Sequence, residues 1–330
     1  MKENTMPNSM SDDQWQASAS WQALNQRAEM LGEIRRFFEA REVLEVDTPV
    51  LMRGATTDVY LDSVSADIEV SGKQERLFFQ TSPEFALKRL VATHKQSVFQ
   101  IAKAFRNGEA GKRHNPEFTM LEWYRPGFSF AQLMDEVAEL VSGILKIETV
   151  ERSAYRDLFI DKLSIDPFLS SKEDLADLCL NKTGCDMTGE PIEACLDLLM
   201  SHCIEPGLGR GVLSFVYDFP AGQAALSKKT VVDGVMVARR FELYVQGAEI
   251  ANGYDELLDA QEQKYRFEED NRQRQAFNKE ILPWDQKLVA ALEAGLPECC
   301  GVALGIERLL MVRYGYKDIA EVIAFPYQRL

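Results

Sequence analysis

The sequence predicts an α+β fold, an antiparallel sheet with helices gathered between its groups of strands. Three observations carry that expectation. Strand-like runs follow one another in hairpin-like groups, at 97–105 with 117–124 and again at 212–218, 231–237 and 240–246. Helical periodicity is collected into separate blocks and does not alternate strand by strand, as a parallel sheet would require. Apolar residues make up 46% of the 330, enough for one large core.

In chain order, residues 1–14 lack an apolar stretch and read as a disordered lead, not a signal peptide. Residues 15–330 are expected to form one domain. Trp21, Leu24, Ala28, Leu31, Ile34 and Phe38 recur every three or four residues, predicting an amphipathic helix of about 25 residues that ends near Arg41. EVLEVDTPVL is then extended and stopped at Pro49. Leu77 to Gln80 reads as a short strand. Thr81 or Ser82 caps the next helix, with Pro83 in its first turn and Glu84 beside it. Ser129 and Gln132 make a capping-box pattern for a helix to about Lys146. Residues 150–210 read as a helical insertion. A polar helix is expected over 256–279, with Asn252 and Gly253 in a turn before it. The chain finishes with a strand at GVALG (301–305) and a helix at IERLLMVRYG.

The chain has 52 acidic and 37 basic residues, a net charge of -15, which opposes broad nucleic-acid binding. No run of 18 apolar residues occurs, so no membrane span is expected. The six cysteines form no C-x-x-C pair and only three histidines are present. Reduced thiols in a cytoplasm follow, without a structural zinc.

Against that acidic background, FRNGEAGKRHNPEFTMLE (105–122) places Arg106, Lys112, Arg113 and His114 on one loop. Alternation puts Phe118, Met120, Glu122 and Tyr124 on one strand face. An arginine, a flat aromatic ring, a carboxylate and a phenol suit a ligand carrying phosphate, an aromatic base and an amine. A solvated hairpin with a cationic tip is the other reading. In GAEIANGYDE, Glu249 and Glu256 could share a divalent cation alongside phosphate oxygens, or simply mark a solvated strand end. In GVALGIERLL, Gly301, Ala303 and Gly305 share a face that a ligand can approach closely, or that packs tightly in a core.

Taken together and in this order, the segments carry a resemblance. FRNGEAGKRHNPEFTMLE resembles motif 2 of class II aminoacyl-tRNA synthetases, GVALGIERLL resembles motif 3, and EVLEVDTPVL resembles the dimerisation motif 1. TSPEFALKRL, YDFPAGQAALSK and GAEIANGYDEL are similar to segments of the lysyl, aspartyl and asparaginyl subgroup, most of all the lysyl enzymes. The resemblance spans about residues 25 to 330. It implies a homodimer that uses ATP and Mg2+. Arg106 would hold the α-phosphate and the substrate carboxylate. Phe118 and Arg308 would sandwich adenine, with Arg308 also reaching the γ-phosphate. Arg113 and His114 would meet the outer phosphates. Asn107, Gly108, Asn115, Ile250 and Gly305 would line the nucleotide. Glu249 and Glu256 would hold magnesium. Ser82, Pro83, Glu84, Glu122, Tyr124, Asn252, Glu256 and Ala303 would receive a cationic amino acid.

Three departures refine it. Gly108 stands where the subgroup has a glutamate facing adenine, and Glu109 follows. Ala303 replaces a glycine, a methyl worth about 1–3 kcal/mol of discrimination in a pocket. Motif 1 begins near residue 42, without the anticodon-binding barrel of the synthetases. That combination resembles the elongation factor P–lysine ligase family, a lysyl-synthetase paralogue. The resemblance implies activation of (R)-β-lysine and its transfer to a lysine ε-amine of translation elongation factor P, with no tRNA anticodon binding. A minimal lysyl-type enzyme that charges tRNA, and a non-catalytic amino-acid-binding regulator, are the alternatives.

Overall fold

The computed structural model describes residues 15–330; the lead at 1–14 lies outside the described residues. Helix α1 (Trp21–Glu39) starts where the Ser20 side chain accepts from the Ala23 amide, and it buries Met30, Ile34 and Phe38. Each such fully buried side chain stabilises the fold by about 1.5–3 kcal/mol. The helix has 19 residues and stops before the extended prediction because Glu42 turns the chain with φ 54. Strand β1 (Leu44–Glu45) then joins the main sheet. Strand β2 (Leu51–Met52) joins β3 (Ser65–Val70) and β4 (Lys73–Phe79) in a small sheet of order β2-β4-β3. The short strand expected at Leu77 is the end of this hairpin.

Helix α2 (Glu84–His94) leads to β5 (Val98–Phe105) and β6 (Glu117–Pro126), the hairpin expected from the sequence. Its register sets Ala104 opposite Phe118 and Gln100 opposite Glu122. Helix α3 (Phe130–Leu145) carries the full capping box of Ser129 and Gln132. Residues 150–154, expected to be helical, form β7 (Val150–Ala154), parallel to β8 (Leu213–Pro220). Three helices lie between them: α4 (Tyr155–Leu163), α5 (Lys172–Thr183) and α6 (Ile192–Leu199). They bury Phe159, Cys179, Cys195, Leu196 and Leu199 in a core of their own. It rests on Phe219, Ala238 and Tyr244 of the sheet.

Strand β9 (Lys229–Val232) turns through Asp233 and Gly234, both with positive φ, into the long β10 (Val235–Val245). Strand β11 (Ala248–Asp255) follows. The turn expected at Asn252 and Gly253 is absent, because both residues pair within β11, Gly253 with Phe241 and Val302. A Cβ on Gly253 would lie 2.3 Å from the Phe241 ring, so this glycine permits close strand packing. Helices α7 (Ala260–Ala276) and α8 (Gln286–Glu293) precede β12 (Cys299–Gly305) and α9 (Ile306–Tyr314).

The main sheet runs β1-β5-β6-β12-β11-β10-β8-β7, with β9 beside β10. All pairs except β1–β5 and β7–β8 are antiparallel, giving the expected α+β fold. One face carries α1, α3 and α9 over a core that includes Phe38, Phe99, Trp123 and Leu309. Among the described residues no helix is long and apolar enough to cross a membrane.

Candidate active site

The opposite face of the central strands, β6, β12, β11 and β10, floors a cavity of about 1520 Å³. Phe118, Met120, Glu122 and Tyr124 all line it, so the alternation read from the sequence holds. Gly301, Ala303 and Gly305 come from β12, and Glu249, Ile250, Asn252 and Glu256 from β11 and the residue after it.

One end is cationic. The Arg106 guanidinium lies 5.1 Å from the Phe118 ring centroid. Its Nη1 is 3.7 Å from Glu109, and its buried Nε has no partner. Gly108 has φ +81, which favours glycine over the glutamate of the synthetases, and Glu109 folds toward Arg106. The Asn107 amide donates to Asp62, which Arg274 and Lys279 anchor in turn. Arg113 donates to the Gly247 carbonyl at 3.0 Å. Arg308 donates to the Glu249 carbonyl and carboxylate, at 3.1 and 3.2 Å, and lies 2.7 Å from His114 Nε2. Burial, and then the neighbouring Arg308, hold the His114 imidazolium below its usual range. His114 is therefore neutral at pH 7 and its Nε2 accepts from Arg308. Asn115 uses both ends of its amide on the chain itself, at Glu117 and Tyr327, and so fixes the loop.

The other end is acidic and deeply buried. Ser82 Oγ and Tyr124 Oη donate to the two oxygens of Glu122 at 2.6 and 2.8 Å. Ser82 Oγ also accepts from the Glu84 amide, but the N-cap of α2 is Pro83, without a side-chain cap, so the cap expected at Thr81 or Ser82 is not formed. Lys88 lies 2.5 Å from both Glu84 and Glu256. Burial opposes its charge, but Glu256 and Glu84 outweigh it and hold the ammonium above its usual range. Two carboxylates thus contact one lysine, and Glu122 beside them feels only its charge. The shortfall shows in Glu122 and Glu256, each pushed up to about 8, chiefly by burial, with Glu84 adding to it. Lys88 was not singled out from the sequence. Its signal was the Glu84–Lys88 spacing of four on one helix.

Gly301 is needed here, since a Cβ would lie 2.3 Å from Tyr124 and 2.6 Å from Glu256 Oε1. Pro83 precedes α2 and sets its direction at Ser82 and Glu84. Ala303 pairs with both Glu122 and Asn252 across the strands.

Glu249 and Glu256 answer different cations, Arg308 and Lys88. The charge of Glu249 bears on Glu242 and Glu205, both raised chiefly by burial. Glu242 on β10 was missed in the sequence. Burial raises it to about 7, Arg240 opposes, and Glu249 adds. Arg240 and Tyr244 both bond to it, and Asn252 Nδ2 donates to it at 3.4 Å. The available signal was the alternation in RRFELYV, which sets Arg240, Glu242 and Tyr244 on one face and Phe241, Leu243 and Val245 on the other. Among the described residues no three His, Cys, Asp or Glu side chains gather as a ready-made metal cage.

Known proteins bear the same stamp. The family described as tRNA synthetases class II (D, K and N) matches residues 13–329. A Vibrio campbellii protein named elongation factor P–(R)-β-lysine ligase is 46% identical over 318 residues, 95% of this chain and 98% of that protein. The protein of the same name from Proteus mirabilis is 44% identical over 319 residues, 96% and 98% of the two chains. That of Salmonella typhi is also 44% identical, over the same shares. This chain belongs to the class II tRNA synthetase family of the D, K and N type.

Proposed function

We propose that the protein is an ATP-dependent ligase that activates (R)-β-lysine as an aminoacyl-adenylate and passes it to a lysine ε-amine of translation elongation factor P. One observation carries this reading. The cavity joins an arginine-rich end to a buried pocket in which Glu84 and Glu256 contact a single lysine and Glu122 has no cation of its own among the described residues. An uncompensated buried carboxylate is costly, so the pocket favours a ligand that brings positive charge. A diamino acid does so, and its own carboxylate then faces the cationic end.

The residues fit a nucleoside triphosphate. Arg106 holds an unpartnered N–H inside the cavity, and Phe118 offers a flat face beneath it. In the first step a substrate carboxylate oxygen attacks the α-phosphorus and pyrophosphate leaves. Arg106 stabilises the charge that builds there. Arg308, Arg113 and neutral His114 meet the outer phosphates. Ser82, Glu84, Glu122 and Tyr124 orient the amines. No nucleophilic serine or cysteine takes part, and positioning supplies the rest. Magnesium, when bound, neutralises the polyphosphate. Glu249 would hold it with phosphate oxygens, and the Glu249 charge also bears on Glu242. Glu256, engaged by Lys88, serves the amine end, although its Oε1 has no partner. We assign the protein to the cytoplasm, as a homodimer built through EVLEVDTPVL, with residues 15–330 as a single catalytic domain and 150–210 as its helical insertion.

The test is transfer of labelled (R)-β-lysine in the presence of ATP and either elongation factor P or tRNA. Label on elongation factor P alone is expected. Label on tRNA alone would reject the assignment.

A further inference from the structure

Activation leaves one wall of the cavity unused, the wall built by the helical insertion. Helix α6 presents Glu193 and Asp197, four residues apart and so on one face, to the cavity, while Cys195, Leu196 and Leu199 bury the other face. Gln223 Nε2 donates to Asp197 Oδ1 at 2.6 Å. The residue is exposed, yet partial desolvation of its carboxylate raises its pKa, with Arg240 opposing and Glu193 and Asp58 adding. Asp58, on the segment after β2, faces the same group. Asp197, Asp58, Glu190 and Glu193 all bear on Tyr60 at the cavity mouth.

Acidic residues alone define no site. The independent observation is Tyr155, the first residue of α4. It is 1% exposed and its ring stacks on Phe159 at 4.5 Å. It lines the cavity, and its hydroxyl has no hydrogen-bond partner. Asp197 is the charge that bears on it most. A buried hydroxyl normally finds a partner, so a donor or acceptor brought by a ligand is expected here.

Resting on the ligase reading above, we propose that Asp197 and Tyr155 form the subsite that receives the ε-ammonium of the acceptor lysine, with Glu193 and Asp58 guarding its mouth. The carboxylate offsets the ammonium charge and the hydroxyl accepts one of its N–H groups. A lysine side chain is thin, long and cationic, and passes such a mouth. A polyphosphate backbone is repelled by it. For transfer, the ammonium releases one proton to solvent. Its lone pair attacks the adenylate carbonyl, the C–N bond forms, and the C–O bond to AMP breaks. AMP departs with that oxygen and electron pair, and the new amide nitrogen sheds a second proton. Asp197 and Tyr155 position the nucleophile and take no part in making the adenylate.

The experiment separates the two steps. Hydroxylamine traps the adenylate as a hydroxamate without needing an acceptor subsite, and labelled transfer to elongation factor P does need one. For Asp197→Asn and Tyr155→Phe, hydroxamate formation should stay within about twofold of the parent, while transfer kcat/KM falls about tenfold, mainly through the KM for the acceptor. Asp197→Glu should restore part of the loss. Unchanged transfer in both variants, or a parallel fall in hydroxamate, would overturn the proposal. Should Asp197→Asn fail to fold, Tyr155→Phe decides alone, since it removes only an unpaired oxygen. A parent protein that forms hydroxamate but never labels elongation factor P overturns the ligase reading, and this subsite with it.

Discussion

Arg106 stands at the cationic end of the cavity, with Phe118 beneath it and its buried Nε without a partner. Replacing it by alanine should cut adenylate formation by about 10²–10³-fold, the usual loss of a charge-stabilising group. Pyrophosphate exchange measures this, with circular dichroism to show an intact fold. The buried carboxyls give a pH dependence of definite sign. Glu122 and Glu256 are pushed up to about 8, so below that pH each is partly protonated in the free protein. An ammonium binds their ionised forms and releases protons. The KM for the diamino acid should therefore fall as pH rises from 6 to 8 and then level off. A KM that is flat over this range would show that these carboxyls are not the amine's partners. Stability has the opposite slope. An acid whose pKa is raised on folding weakens the fold as pH climbs from its unfolded value, about 4.5, toward 8. Bound substrate should remove that loss.

Strand packing sets the next scale. Gly253 in β11 lets the Phe241 ring lie against the backbone. Gly253→Ala inserts a methyl where nothing can yield cheaply, at a cost of about 1–3 kcal/mol. A fall in Tm of a few degrees in calorimetry is expected, and an unchanged Tm would mean that β10 can shift. The same pair of residues explains a misread signal. Asn-Gly is a strong turn signature when only neighbours in sequence are considered. Here the glycine answers a side chain twelve residues earlier, and no local rule can see it. The β5–β6 hairpin was legible for the opposite reason. Its alternation, its loop and its cationic tip all lie within one continuous segment, and so do the capping box of α3 and the Gly-rich strand β12.

Across the whole molecule, a net charge of -15 surrounds a small cationic pocket. The long-range field therefore opposes nucleic acid, while the pocket draws in one compact anion. No retention of tRNA is expected in gel filtration at physiological salt, and co-elution would contradict this view of the acidic surface. The same runs should show twice the chain mass, as the homodimer assignment requires.

The amino-acid sequence by itself determined the α+β class, the motif 2 hairpin, the glycine-lined strand and the strand face of Phe118, Met120, Glu122 and Tyr124 that lines the cavity. Each of these depends on periodicity or spacing along a short stretch of chain. Tertiary structure alone decided how the charges are shared. It placed Lys88 between Glu84 and Glu256, and Arg308 against Glu249 and His114. It brought Glu242 within reach of Glu249's charge and Tyr155 within reach of Asp197's. Those pairings bring together residues up to 194 positions apart. Coulomb energy and desolvation depend on distance and burial, which only the packed sheet supplies.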